Sequence, residues 1–315
     1  MGGVEGCRKL AASFYGRVDS EPLLRPFFPG KTHNCAIEEM SAFLVQLLGG
    51  PSNAAQRRWW LSLRESHARF KIETGHRQAW MRLMVETLDD VGLEESVRGE
   101  LRRFFEEASA YIIGETDELS DQWKVQQKLD EAVASIRRGE TPALDLFRPS
   151  VTAGLLAEMI RSGKPKLRQD ARDHITGNPS LVHERYAGWT LLHVAAAVGD
   201  AATVESLLRA GADPKALDGG KHTPLYSLGN GIGVPESERI VRLLVDAGAD
   251  VDACEGVKRC TPLHMAARRG NVEIAKALLA CGANPKARDT KGETPLKRAV
   301  NCKKRLVAEL LATAG

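Results

Sequence analysis

Thr261-Pro262-Leu263-His264 decides the reading of the C-terminal half, because variants of it return at Thr190-Leu191-Leu192-His193, Thr223-Pro224-Leu225-Tyr226 and Thr294-Pro295-Leu296-Lys297. The four starts lie 33, 38 and 33 residues apart. A second marker, Gly-Ala-Asp or Gly-Ala-Asn, begins at Gly211, Gly248 and Gly282, and Gly315 stands at the fourth equivalent point. Thr caps a helix through its hydroxyl, Pro fits the first helical position, and Gly accepts the left-handed turn that stops a helix. A fixed period of this size marks stacked repeats, in which each unit buries its apolar face on its neighbours.

The period and the Thr-Pro-Leu-His signature resemble the ankyrin repeat. The resemblance implies pairs of antiparallel helices in an α-solenoid over residues 150–315 that holds another protein, with repeats starting near 188, 221, 259 and 292. Residues 151–176 read as two short helices of a degenerate capping repeat, and Lys303, Lys304, Arg305 and Glu309 supply a polar face at the far end. Most of the excess length of the second repeat falls in Leu228–Pro235, between its helices. The glycines there lack the strand-then-helix setting of a dinucleotide loop. His193 and His264 take the signature histidine positions, where the ring bridges neighbouring turns rather than binding metal. Lys215, Lys221, Lys258, Arg259, Lys286, Arg288 and Lys291 fall at the finger tips, a basic rim suited to an acidic partner or simply to solvent.

Residues 1–115 carry helix-period apolar positions such as Leu10, Phe14 and Val18, then Leu101, Phe104 and Phe105, with little strand signal. Periodicity alone fits any helical bundle. Five segments say more: Phe14-Tyr15-Gly16-Arg17-Val18, Leu24-Arg25-Pro26-Phe27-Phe28-Pro29, Gly49-Gly50-Pro51, His67-Ala68-Arg69-Phe70-Lys71-Ile72 and Arg77-Gln78-Ala79-Trp80-Met81. In this order and spacing, residues 8–114 resemble a truncated haemoglobin of the group with a distal tryptophan. The resemblance implies an all-α, two-on-two helical sandwich around non-covalent haem b. It makes His67 the axial iron ligand, flanked by Leu63, Phe70 and Ile72. It places Tyr15 and Trp80 on the distal side as hydrogen-bond donors and Phe28 against the haem face, where many relatives carry tyrosine. Ala36 takes the distal gate and Met40 the distal wall, and Arg58 and Arg64 are the cations for the haem propionates. Glu39 and Ala54 depart from the basic residue and the tyrosine that relatives often have there.

The remaining signals narrow the class. With 44 basic and 41 acidic residues the formal charge is +3, too balanced to argue for nucleic acid or a membrane surface. Six cysteines without paired spacing read as reduced thiols. No signal sequence or apolar span is evident, so a soluble, cytoplasmic protein is expected. Gly2 lacks the Ser or Thr that myristoylation wants, since Gly6 stands there. A Cys-x-x-Cys-His attachment motif is absent, and Gly30-Lys31-Thr32 has Arg25 where a phosphate loop needs glycine. Residues 116–149 form a connector with a helix near Gln122–Arg138, whose Trp123, Val125, Leu129, Val133 and Ile136 make an apolar stripe that should dock.

Three functions follow. The first is a haem protein that reversibly binds dioxygen or another diatomic gas, with repeats choosing the protein partner and a gas or redox sensor as one outcome. The second is a haem-free adaptor with a vestigial globin fold. The third is an enzyme, a haem peroxidase or nitric oxide dioxygenase.

Overall fold

The structure, a computed structural model, describes residues 3–48, 63–67, 70–121, 124–147, 149–231 and 233–314. Its contacts divide the chain into two compact units, residues 1–135 and 136–315. Among the described residues every extended element is a helix, and the only bridge between extended residues joins Tyr186 and Trp189.

The first unit begins with α1 (Gly3–Val18), which buries Cys7, Leu10, Ala11, Phe14, Tyr15 and Val18. That spacing of three, one, three, one and three is the stripe of a helix with one covered face. A short 3₁₀ turn, Arg25–Phe27, leads to α2 (Asn34–Leu47). α3 (Leu63–His67), α4 (Thr74–Asp90) and α5 (Glu95–Ile112) follow. α1 packs on α2 and α4, α4 on α5, and α3 on α5. Phe14, Leu44, Met84, Leu88, Leu101 and Phe104 are fully buried between them. At the start of α4 the Glu73 N–H donates to His76 Nδ1 at 3.1 Å, satisfying a backbone group that the helix itself leaves over.

The connector helix α6 (Lys124–Arg138) runs across the division between the units. Leu129, Ala132, Val133 and Ile136 are buried, as the stripe required. Val125 is exposed and drops out of it, and Trp123 lies outside the described residues.

The second unit opens with α7 (Pro149–Arg161) and α8 (Pro165–Gly177). Four helix pairs follow: α9 (Leu191–Val198) with α10 (Ala201–Arg209), α11 (Pro224–Asn230) with α12 (Ser237–Asp246), α13 (Pro262–Arg269) with α14 (Val272–Ala280), and α15 (Pro295–Asn301) with α16 (Arg305–Thr313). α7, α9, α11, α13 and α15 stack in one layer, and α8, α10, α12, α14 and α16 in another. α7 joins the stack through Gly154, which is too close to the Tyr186 ring to admit a side chain: an added Cβ would meet it at 2.8 Å. The final pair is less polar than the sequence suggests, since Val300 and Leu306 are exposed on it.

Each signature threonine caps its helix, accepting a backbone N–H three residues on: His193 at 3.4 Å, Tyr226 at 3.2 Å, His264 at 3.4 Å and Lys297 at 3.3 Å. The two signature histidines then bridge units. His193 Nε2–H donates to the His222 carbonyl and His264 Nε2–H to the Glu293 carbonyl, both at 3.0 Å. Fingers between helix pairs are closed by a carboxylate: Asp218 Oδ1 accepts from Gly220 and His222 at 2.8 Å, and Asp289 Oδ1 from Lys291 at 2.8 Å and Glu293 at 3.0 Å. Glu255 does the same in the third finger for Val257 and Lys258. The long second repeat is accommodated between α11 and α12, where Pro235 packs on Gly199 so closely that a Cβ there would meet it at 2.6 Å.

Burial holds both His193 and His264 below the ordinary histidine value, against the opposing pull of their carbonyl hydrogen bonds. The unfolded chain therefore takes up protons at a higher pH than the folded one, and stability is lost as pH falls through about 6.5. A fragment of residues 136–315 is expected to melt cooperatively at neutral pH and to lose up to about 1.4 kcal/mol per histidine for each pH unit below 6.5. Thermal melts followed by circular dichroism at pH 7.5 and 5.5 check this, and His264→Asn should flatten the dependence.

Candidate functional site

A cavity of about 680 Å³ opens within the first unit. All five of its helices contribute to the wall, which is mostly aromatic and aliphatic. It joins nine of the residues that the sequence nominated: Tyr15, Phe28, Ala36, Met40, Leu63, His67, Phe70, Ile72 and Trp80.

His67 is the last residue of α3. Its Nδ1 lies 2.8 Å from the Leu63 carbonyl one turn earlier, so Nδ1 carries the proton and donates it there. The lone pair is thereby on Nε2, the arrangement a metal-ligating imidazole requires. Leu63 is buried and fixes the start of the same short helix. Tyr15 is also buried, in contact with Phe14 on one side and Phe28 on the other, with ring centroids 5.2 Å apart in both pairs. Burial, with the charge of Glu39 adding to it, pushes the Tyr15 phenol far above its ordinary value. It stays neutral and able to donate. The Trp80 indole is held between Phe14 at 5.1 Å and Phe105 at 5.3 Å.

Of the two arginines expected at the propionates, Arg64 does not line this wall. Arg58 lies outside the described residues. Arg64 turns to the end of α5, where it donates to the carbonyls of Tyr111 and Thr116, pairs with Asp117 at 3.0 Å, and sits 3.9 Å over the Tyr111 ring. Although Arg64 and His67 stand three residues apart on α3, the long Arg64 side chain carries its planar guanidinium to both carbonyls and a ring face at the end of α5. Among the described residues the arginine lining the cavity is Arg77, which is paired with Glu115 at 3.2 Å and donates to Ser109 Oγ at 3.1 Å. Glu39 also lines it, a carboxylate where the sequence comparison expected a cation.

Sequence reasoning missed His33 and His76. Both line the cavity. His76 was hidden by its helix-capping role and His33 by lying outside every recognised segment, although it stands only three residues before Ala36. His33 is packed against Tyr15 and Phe28 and bonds Asp19 at 2.8 Å.

These residues suit haem. Among the described residues no group of three or more His, Cys, Asp or Glu is placed to hold a bare ion. The His67 imidazole, with Nδ1 committed to the Leu63 carbonyl in a mostly apolar wall, suits an iron that brings its other ligands with it.

Residues 1–112 match the family model described as bacterial-like globin, residues 187–219 match the ankyrin repeat, and residues 232–315 match a model of three ankyrin copies. The Group 2 truncated hemoglobin YjbI of Bacillus subtilis is 34% identical over 115 residues, 36% of this chain and 86% of that protein. Two-on-two hemoglobin-3 of Arabidopsis thaliana is 27% identical over 114 residues, 35% of this chain and 65% of that protein. Ankyrin repeat and SOCS box protein 16 of Homo sapiens is 34% identical over 130 residues, 41% of this chain and only 28% of that protein.

Replacing Arg64 by Ala removes a cation–aromatic contact and two carbonyl bonds from a side chain that is 39% exposed. A loss of about 1–3 kcal/mol in the stability of the first unit is expected, read by urea titration under circular dichroism.

Proposed function

The chain belongs to the truncated haemoglobin family and carries ankyrin repeats after its globin, and from that premise we propose that it binds haem b non-covalently and reversibly holds dioxygen or another diatomic gas. Its repeats hold a protein partner, and a cytoplasmic location belongs to the same proposal, on the reading of its cysteines as reduced thiols. No helix among the described residues is long and apolar enough to cross a membrane.

One observation carries the reading: the His67 Nδ1–H bond to the Leu63 carbonyl, made at the wall of an apolar cavity that also holds Tyr15 and Trp80. Haem, when bound, supplies the iron at which a diatomic gas binds reversibly. His67 keeps its proton on Nδ1 and would hold the haem iron through Nε2. Tyr15 could donate a hydrogen bond to a gas held there, because burial keeps its phenol protonated at any ordinary pH. Trp80 adds an indole N–H, which can only donate. Leu63, Phe70, Ile72 and Met40 exclude water from the same space. Arg77 is the group of this wall that would meet a haem carboxylate, competing with Glu115 for it.

Glu39 favours a second reading, a haem-free adaptor, since a carboxylate on the wall repels the carboxylates of haem. A Soret band in the purified chain separates the two.

The purified protein should take up about one haem per chain, and His67→Ala should abolish the five-coordinate ferrous spectrum. An unchanged spectrum in that variant would sink the assignment. Tyr15→Phe and Trp80→Phe should each speed dioxygen escape by roughly ten- to a hundredfold, since a bond to a charged or partly charged acceptor contributes about 1.5–3 kcal/mol. Flash photolysis gives these rates, and the double variant should show less than the sum of the single effects because the donors share one acceptor.

A further inference from the structure

Tyr15 and Trp80 can give hydrogen bonds to a small molecule in the cavity, but neither can take a proton from it. His33 is a polar group beside them that can. It sits one residue before α2, its side chain is 9% exposed, and its ring lies 5.8 Å from that of Tyr15 and 5.9 Å from that of Phe28. Its Nε2–H donates to Asp19 Oδ1 at 2.8 Å. Asp19 is itself fixed: Arg25 Nε lies 3.1 Å from the same oxygen, and Arg25 donates onward to the carbonyls of Phe28 and Gly30. Among the described residues His33 Nδ1 has no hydrogen-bond partner. An imidazole in the wall of a mostly apolar cavity, anchored by a carboxylate at one nitrogen and without a protein partner at the other, is arranged to accept and return a proton.

We propose that His33 and Asp19 form a proton-accepting pair for small weak acids H–X that enter the cavity, a class that includes hydrogen cyanide, hydrogen sulfide and hydrogen peroxide. The proposal rests on the haem reading above. In the step the H–X bond breaks, the proton passes to His33 Nδ1 and the bonding pair stays on X, leaving an anion X⁻ that ferric haem, when bound, would take as a ligand. Release is the reverse. No electron is transferred and no co-reactant is consumed. Asp19 holds the ring in place and balances the charge that His33 gains. The other charged or titratable groups around His33 are Arg25 on the turn, Tyr15 on α1, and Cys35 and Glu39, which line the same cavity from α2. Arg25 is committed to Asp19 and two carbonyls, and Tyr15 keeps its proton, so His33 faces a neutral phenol rather than a phenolate.

Cyanide is the probe, mixed with the haem-loaded full chain in the ferric state and followed by the Soret shift in stopped flow. His33→Gln should slow cyanide association about a hundredfold at neutral pH, and Asp19→Asn, which keeps the imidazole, by about tenfold. Carbon monoxide binds ferrous haem without any proton transfer, so its association rate in both variants should stay within about twofold of the parent. A cyanide rate within about twofold of the parent in His33→Gln overturns the proposal, as does an equal loss for carbon monoxide, which marks a structural role. A loss in Glu39→Gln that matches or exceeds the loss in His33→Gln moves the proton to Glu39 and overturns it too. A chain that takes up no haem overturns this proposal together with the reading beneath it, whereas haem uptake with an unchanged cyanide rate overturns this one alone.

Discussion

A neutral imidazole presents a lone pair on one nitrogen only while the other keeps its proton, and the Leu63 carbonyl makes that choice for His67. The acceptor is the carbonyl one helical turn back, so even a helix of five residues is long enough to supply it. Everything else in the first unit serves that arrangement. Leu63 is buried and anchors the helix, α3 packs on α5, and the aromatic residues of α1, α4 and α5 keep the cavity apolar. An imidazole so fixed in a mostly apolar wall has little to offer a hydrated ion and a good deal to offer an iron already held in a ring.

The ankyrin histidines use the same ring for the opposite purpose. In His193 and His264 Nδ1 faces the threonine three residues earlier, at 2.7 Å and 2.9 Å, while Nε2 reaches a carbonyl 29 residues on in the sequence. Both nitrogens are spent on the stack, and burial disfavours the charged form. The ring therefore becomes a fixed strut between repeats, with no lone pair left for chemistry. In the second repeat Tyr226 stands at the signature position and packs with Cys260 and Met265 of the next repeat, while within its own repeat it stacks on His222, the rings 4.5 Å apart and 9° from parallel. Asp218 bonds that histidine as well, so the finger keeps its shape by a different route.

The repeats were legible because their determinants are local. A cap, a proline and a turn glycine act within one helix, and the same few residues return at a fixed period. The cavity wall was legible for a different reason: six of its nine nominated residues fall inside segments that resemble a known family in order and spacing, and Ala36, Met40 and Leu63 follow from the register between those segments. What escaped depends on the direction a side chain takes. Arg64 stands three residues before His67, and nothing in that spacing says that its guanidinium leaves for the Tyr111 ring and two carbonyls. His33 lies in the irregular Lys31-Thr32-His33-Asn34 stretch, where periodicity carries no information, and its partner Asp19 is 14 residues away. Val125 matched the apolar period of α6 and is nevertheless exposed, because it lies in the first turn, where period alone does not fix what covers it.

The electrostatics of the cavity wall separate holding a cofactor from tuning what it binds. Glu39 contributes a negative charge to the wall, and the positive charge of Arg77 is already met by Glu115. Neither offers strong net attraction to a carboxylate-bearing ligand, since Arg77 would have to trade one anion for another. On the proposed reading, haem would be held by the described wall mainly through burial of its apolar face and through His67, beside Leu63, Phe70 and Ile72. Tyr15, Trp80 and His33 are packed by aromatic rings rather than tied to that charged rim. Their hydrogen-bonding can vary with little effect on how tightly the cofactor is held, which leaves the chemistry of the bound small molecule open to change on a pocket whose hold on the ring is fixed elsewhere.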